Sequence, residues 1–243
     1  MLYGSKKKSN KINTKKNQIK KMLDRLSVNY DMMNTLFTLG IDKIWRKKLV
    51  NKLSIYKPKK ILDIATGTAD LALEIAKIKP EKIIGIDISK KMISVGNKKI
   101  KKLKYERIIE LREGDCEKIP FENHSFDAVT VSFGVRNFEN LDKCLIEILR
   151  VLKKGGILLI LETSIPKSRL IFFCYNFYLK TIYPLMYNLF SKNKNAYKYL
   201  RNSSLVFPNG KKFNNILMKN GFIDVNNKPL TFGATSLYFG KKP

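Results

Sequence analysis

The feature that most constrains this chain is an apolar run, Ile61-Leu62-Asp63-Ile64, that enters the small-residue turn Ala65-Thr66-Gly67-Thr68-Ala69. A helical pattern follows, then a second apolar run, Ile83-Ile84-Gly85-Ile86, ending on Asp87. Strand, tight turn, helix and strand-then-acid form the front half of a nucleotide-binding βαβ unit. The turn lets a ligand approach the backbone, and the acid about 20 residues on is placed for a ribose hydroxyl pair. The spaced glycines of a dinucleotide site are absent from Asp63-x-x-x-Gly67-x-Ala69, as is the Gly-Lys-Ser/Thr of a triphosphate loop.

Strand and helix patterns alternate onward from this unit. Strands are expected at Lys60–Ile64, Lys82–Asp87, Arg107–Glu113, Phe126–Phe133 and Gly156–Glu162. Helices are expected at Asp70–Ile78, Ser89–Leu103 (with Ser89 as N-cap) and Leu141–Leu152. The run Lys153-Lys154-Gly155-Gly156 reads as a turn. A helix near Gly210–Asn220 and strands near Ile223–Asn227 and Thr231–Lys241 close the chain. The pattern predicts an α/β fold with a mainly parallel seven-stranded sheet, an antiparallel C-terminal edge and helices on both faces.

One domain is expected over residues 15–243, after a disordered basic tail at 1–14. Within it, 15–57 reads as an N-terminal helical lid divided at Gly40, and 166–201 as an aromatic helical insert. Phe172, Phe173, Tyr175, Phe177, Tyr178, Ile182, Tyr183, Leu185, Met186 and Phe190 fall in that insert. Lys180 and Pro184 break its longest apolar stretch, so it does not span a bilayer. No secretory signal is read at the N-terminus.

The formal charge of +28 invites a nucleic-acid reading. The excess is mostly lysine in a chain rich in Asn and Ile, a trio that AT-rich codon usage produces. It is also spread out: the first 21 residues hold eight lysines and no acid, and most of the excess lies beyond them. Nucleic acid is therefore not expected as a partner, whereas a weak pull towards anionic lipid is compatible with the charge. Cys116, Cys144 and Cys174 have no CxxC spacing and read as free thiols in a reducing cytosol. No metal site is expected. His124, the single histidine, sits in a polar turn and reads as a loop residue.

In open sheets of this kind ligands bind beyond the strand carboxyl ends. The turn Asp63-x-x-x-Gly67-x-Ala69, closed by Asp87, resembles the S-adenosyl-L-methionine (SAM) site of class I methyltransferases. Under that resemblance Gly67 admits the methionine moiety and Thr68 offers a hydroxyl and an amide to its carboxylate. Asp87 accepts the ribose hydroxyls, Asp115 the adenine amino group, and Cys116 supplies a backbone amide. Ser132 lies where the fourth strand opens onto the methyl group.

Longer segments carry a more specific likeness: Asn29-Tyr30-Asp31-Met32-Met33-Asn34, Gly114-Asp115-Cys116-Glu117-Lys118-Ile119-Pro120-Phe121 and Ser132-Phe133-Gly134-Val135-Arg136-Asn137. Ala196-Tyr197-Lys198-Tyr199-Leu200, Phe207-Pro208 and Pro229-Leu230-Thr231-Phe232-Gly233 through Lys242-Pro243 extend it. Together they resemble the menaquinone/ubiquinone biosynthesis C-methyltransferase family from about residue 27 to the end. The resemblance implies SAM as cofactor, with contacts at Thr68, Asp87, Asp115, Cys116 and Ser132. It also implies a polyprenylated quinol substrate methylated on a ring carbon. Arg136 is the expected cation beside the developing phenolate, and Tyr30 the expected proton relay, with Asp31 a weaker base.

Two positions and one segment depart from the family pattern: Ala69 for a usual Gly, Cys116 for a common Ala, and the region 201–206, which reads Arg201-Asn202-Ser203-Ser204 where Pro-Glu-Ser is usual. Against this reading stand RNA methylation, a non-catalytic SAM-binding subunit, and a methyltransferase for another small phenolic or lipid acceptor. The ring type, naphthoquinol or benzoquinol, is left open, as is a homodimer. Location is expected to be cytoplasmic, with peripheral contact at the inner membrane face.

Overall fold

The computed structural model describes residues 14–190 and 194–243. The tail expected at 1–14 thus lies, but for Thr14, outside the described residues. Three helices lead: α1 (Lys15–Leu26), α2 (Tyr30–Phe37) and α3 (Ile41–Ser54). Gly40, at φ +78°, makes the break between α2 and α3. Next come β1 (Lys60–Ile64), α4 (Asp70–Ala76), β2 (Lys82–Asp87), α5 (Lys90–Lys102), β3 (Ile109–Glu113), β4 (Phe126–Ser132), α6 (Leu141–Val151) and β5 (Leu152–Thr163). The insert forms α7 (Arg169–Phe177), a π-helical turn at Tyr178–Ile182, α8 (Tyr183–Phe190) and α9 (Lys194–Val206). Then α10 (Lys211–Lys219), β6 (Ile223–Leu230) and β7 (Thr235–Lys241) end the chain.

The seven strands form one sheet in the order β3-β2-β1-β4-β5-β7-β6. The first five are parallel, β7 runs antiparallel between β5 and β6, and β6 is the edge. Successive strand side chains point to opposite faces. Leu62, Ile64, Val129, Val131, Leu158 and Ile160 pack under α6 and α10. Ile61, Ile83, Ala128, Leu159 and Leu161 pack under α3, α4 and α5. Such double burial is why the parallel strands read as apolar runs. Ser89 caps α5 as expected, its Oγ accepting from Met92 N at 3.2 Å. A third cluster, with Leu26, Met33, Phe37, Met92, Tyr197 and Leu200, fastens α1 and α2 to α9 over the carboxyl ends of β1 and β2.

Two expectations are corrected. The Lys153–Gly156 run is part of β5: register shifts between Phe126 and Ala128 of β4, and Gly156 accepts from Lys242 N at 2.8 Å. Gly155 takes φ +71°, so the bulge mimics a turn in sequence. The thiol expectation also fails for two cysteines. Cys116 and Cys144 are disulfide-bonded, Cα to Cα 5.1 Å, because the turn after β3 packs against the first turns of α6. Only Cys174 is free, and it is exposed.

Gly134 shows how tightly the strand ends close. A Cβ there would stand 2.5 Å from Ala65 Cβ in the turn after β1. Gly134→Ala is expected to cost about 1–3 kcal/mol through overpacking, read as a lowered thermal midpoint. An unchanged midpoint would show that the two turns do not press together.

Candidate active site

The turns after β1, β2 and β4 converge with α1, α2, α7, the π turn and α9 around a cavity of about 340 Å³. A smaller cavity of about 60 Å³ lies beside it, lined by Ile86, Ile88, Asp115 and Cys116. Asp87, Ala65, Gly134, Asn137 and Leu23 line both. His124, in contrast, precedes β4 in a polar turn at the opposite end of the strands, as its sequence setting implied.

Gly67 has φ +56°, and nothing lies within 4 Å of an added Cβ, so the turn leaves an open cradle. Ala65, Ala69 and Phe133 adopt the same left-handed region at φ +53°, +70° and +56°. For an L-residue that costs roughly 1–2 kcal/mol each, which gives a physical reason for glycine as the usual residue at the Ala69 position. Asp63 fixes the turn from below, accepting from Thr66 Oγ1 at 2.6 Å and Thr130 Oγ1 at 2.7 Å. Burial raises its carboxyl to about 6, against the pull of those two hydroxyls.

Asp87 is 4% exposed. One oxygen accepts from Gly67 N at 2.9 Å and the other from Ser89 N at 2.8 Å. Each oxygen retains acceptor capacity, which suits a vicinal diol. Burial raises this carboxyl too, to about 6, while the Ser89 and Gly67 amides act to lower it.

The other expected residues are less free than the sequence suggested. Asp31 accepts from the Thr68 hydroxyl and sits 2.8 Å from Lys99 Nζ, which also reaches Asp70 at 2.5 Å and Thr68 Oγ1 at 3.1 Å. This network ties α2 to the β1 turn, and it occupies Asp31 as a hydrogen-bond partner instead of leaving it a free base. Asp115 accepts from Lys16 Nζ at 2.7 Å and Glu117 N at 3.0 Å, so α1 closes the smaller cavity through it.

Arg136 lies in a 3₁₀ turn, Val135–Asn137, just past β4. Its Nη1 donates to Glu162 Oε1 at 2.6 Å and to the Phe133 carbonyl at 2.8 Å. Glu162 is fully buried at the end of β5 and also accepts from Thr163 N at 2.8 Å. Burial opposes the charge on Arg136, but Glu162 and Tyr30 outweigh it and hold the guanidinium above its already high value. Tyr30 is pushed up by burial, with Arg136 pulling it down and Asn34 hydrogen-bonded to it. Its phenol therefore stays protonated at neutral pH. Ser132 Oγ and Arg136 Nε, both on the cavity wall, are buried without a partner. Buried polar groups are rarely left so; Thr235 Oγ1, also on the wall, is a third, and all three are free to bond a molecule in the cavity.

Sequence reasoning missed Glu162 and Lys99. Glu162 carries the same signal as Asp63 and Asp87, an acid inside or ending an apolar strand. Lys99 was hidden in a lysine run.

The residues present fit SAM: an open cradle at Gly67, a diol acceptor at Asp87, and a small cavity beside it for a flat ring. Solved structures with this architecture include a SAM-dependent methyltransferase from Thermotoga maritima, 17% identical, TM-score 0.64, covering 93% of this chain and 100% of that one. At that identity the likeness shows the fold alone. Relatives are more telling. A demethylmenaquinone methyltransferase of Bacteroides fragilis is 41% identical over 94% of this chain and 94% of its own length. A ubiquinone/menaquinone biosynthesis C-methyltransferase UbiE of Geobacter sulfurreducens is 38% identical over 96% and 91%. Residues 11–242 match the ubiE/COQ5 methyltransferase family, and the chain, a SAM-dependent methyltransferase, belongs to it.

Proposed function

We propose that this protein methylates a ring carbon of a polyprenylated quinol, with demethylmenaquinol as the substrate. The observation that carries the reading is the cavity beside Gly67 and Asp87. It joins the buried guanidinium of Arg136, braced by Glu162, to a wall of Tyr175, Tyr178, Leu179 and Tyr183. The polar end suits a phenolic oxygen and the aromatic wall suits a fused ring with an isoprenoid chain.

SAM supplies an electrophilic methyl group when bound. Gly67 and Asp87 would hold it, with Ser132 at the mouth of β4. Arg136 offers Nε–H to the phenolic oxygen, stabilising negative charge as the ring carbon becomes nucleophilic. Tyr30, protonated and beside Arg136, would relay the phenolic proton outward, releasing its own as it accepts. The methylated carbon then loses its hydrogen as a proton and the oxygen regains one, so the products are the methylated quinol, the demethylated thioether S-adenosylhomocysteine and one net proton. Residues of α1, α2 and α9 line the site and would hold the two reactants in line, which contributes up to about 7–11 kcal/mol in well-oriented systems.

The insert supports a peripheral membrane contact. While α7 and the π turn present Tyr175, Tyr178 and Leu179 to the cavity, Leu170, Phe173 and Phe177, spaced along the outer face of α7, are 74%, 70% and 54% exposed. No Asp or Glu occurs between Glu162 and Asp224, a stretch with many lysines and arginines. No helix among the described residues is long and apolar enough to cross a membrane. An apolar stripe without acids at the cavity's outer wall fits the surface of an anionic bilayer.

Methyl transfer from labelled SAM tests the reaction, with demethylmenaquinol, the demethylated ubiquinol precursor and bulk RNA offered separately. Label on a quinol ring carbon is expected; label only in RNA would sink the proposal. For the membrane contact, Leu170→Ser with Phe173→Ser is expected to weaken sedimentation with phosphatidylglycerol vesicles about tenfold or more. Equal binding by both proteins would remove this face from consideration.

A further inference from the structure

Besides Arg136, and Arg46, which is paired with Asp42 and Asp70, a further guanidinium stands in the wall of the cavity. Arg201, on α9, lines it together with Leu200 and Ser204. α9 packs on the turn that carries Arg136, and the Tyr199 hydroxyl lies 3.4 Å from Asn137 Oδ1 as its hydrogen-bond donor. Arg136 and Arg201 are thus held by one joint between α9 and the end of β4.

Their electrostatic states differ. Arg136 is matched by Glu162, whereas no ion pair or hydrogen bond ties the Arg201 side chain to another of the described residues. Arg201 Nε is buried without a partner, like Arg136 Nε and Ser132 Oγ in the same wall. The sequence from Thr163 to Ile223 supplies no carboxylate to it. The carboxylates that line the cavity, Asp42, Asp63, Asp70 and Asp87, have other partners. Its buried Nε–H is left without an acceptor, which is unfavourable unless something bound there accepts that hydrogen bond.

A quinol carries two oxygens on opposite sides of its ring, and Arg136 has use for one. We propose that Arg201 is a substrate-binding residue that donates to the second ring oxygen, the one beside the prenyl chain. Arg136 then holds the oxygen beside the carbon that is methylated. This inference rests on the quinol reading above. Two donors on opposite sides of one flat ring fix both its position and its rotation in the plane. The carbon presented to the methyl group is thereby the one next to the oxygen at Arg136. An unmatched cation also favours a second oxygen over hydrogen at that position, so it sets selectivity for diols over mono-ols.

The test is a cycle between protein and substrate. Wild type, Arg201→Gln and Arg201→Ala are assayed with demethylmenaquinol and with the prenylated naphthol that lacks only the oxygen beside the prenyl chain. Wild type is expected to lose about 10- to 100-fold in kcat/KM on losing that oxygen, the worth of a charge-assisted hydrogen bond. Both variants are expected to lose a similar factor on the diol and to treat diol and mono-ol within about threefold of each other. SAM affinity and thermal midpoint serve as controls and should match wild type. A variant that folds, binds SAM and still prefers the diol as strongly as wild type overturns the role of Arg201. A wild type inert towards both compounds overturns the quinol reading instead.

Discussion

Replacing Arg136 by glutamine is expected to cut turnover by about 10²–10³-fold while leaving SAM affinity within a few-fold of wild type. The magnitude is that of losing one donor aimed at developing negative charge. The separation of effects follows from placement. Arg136 lies past β4, bonded to Glu162 and the Phe133 carbonyl, whereas the groups that fit SAM cluster on the turns after β1 and β2. Stability complicates the simplest variant. Glu162 is fully buried, and truncating its partner to alanine would strand that carboxylate at a cost of about 3–5 kcal/mol. The informative set is therefore Arg136→Gln, which keeps a donor for Glu162, and Arg136→Gln with Glu162→Gln, which removes the buried charge. If either folds, binds SAM and turns over normally, the guanidinium is not the oxyanion partner.

Legibility in the sequence followed burial. β1 and β2 were located to the residue because a strand covered on both faces is an apolar run bounded by polar residues. β5 was misjudged at its start because a bulged pair, with Gly155 left-handed, has the same composition as a turn. The cofactor turns were legible for a similar reason: Gly67 and Asp87 break the apolar pattern where the backbone must do something special. The substrate half was far less so. Glu162 looks like any residue ending a strand, and Lys99 like one of many lysines. Arg201 stands out in sequence only as a departure from a family pattern. What gives the first two their meaning is a partner distant in sequence, Arg136 for Glu162 and Asp31 for Lys99, and for Arg201 it is a buried Nε–H with no acceptor among the described residues. Pairing of that kind is tertiary, and no local periodicity encodes it. The Cys116–Cys144 bond is a further case, joining residues 28 apart that share no motif.

Asp87→Asn is expected to raise the dissociation constant for SAM by about 10²-fold or more. Two charge-assisted hydrogen bonds from ribose hydroxyls are at stake, each worth about 1.5–3 kcal/mol. Asparagine also faces the Gly67 and Ser89 amides with an NH₂ where one of them now meets an oxygen. The pH dependence makes the assignment specific. With the Asp87 carboxyl raised to about 6, SAM affinity in wild type should fall below pH 6, by up to tenfold per pH unit, as the acceptor is protonated. Asp87→Asn should lack that dependence. Stability of the ligand-free protein should move the other way. A carboxyl whose pKa is about 6 when folded and 3.8 otherwise binds more protons in the folded state between those values. Its stabilising contribution is complete below about 4 and is lost as pH rises through 6. The thermal midpoint of wild type relative to Asp87→Asn should therefore decline from pH 4 to pH 7, while SAM affinity rises over the same interval. A buried carboxylate kept for its ligand destabilises the empty site and stabilises the filled one. If instead both quantities rose together with pH, Asp87 would be a structural acid and the ribose would be held elsewhere.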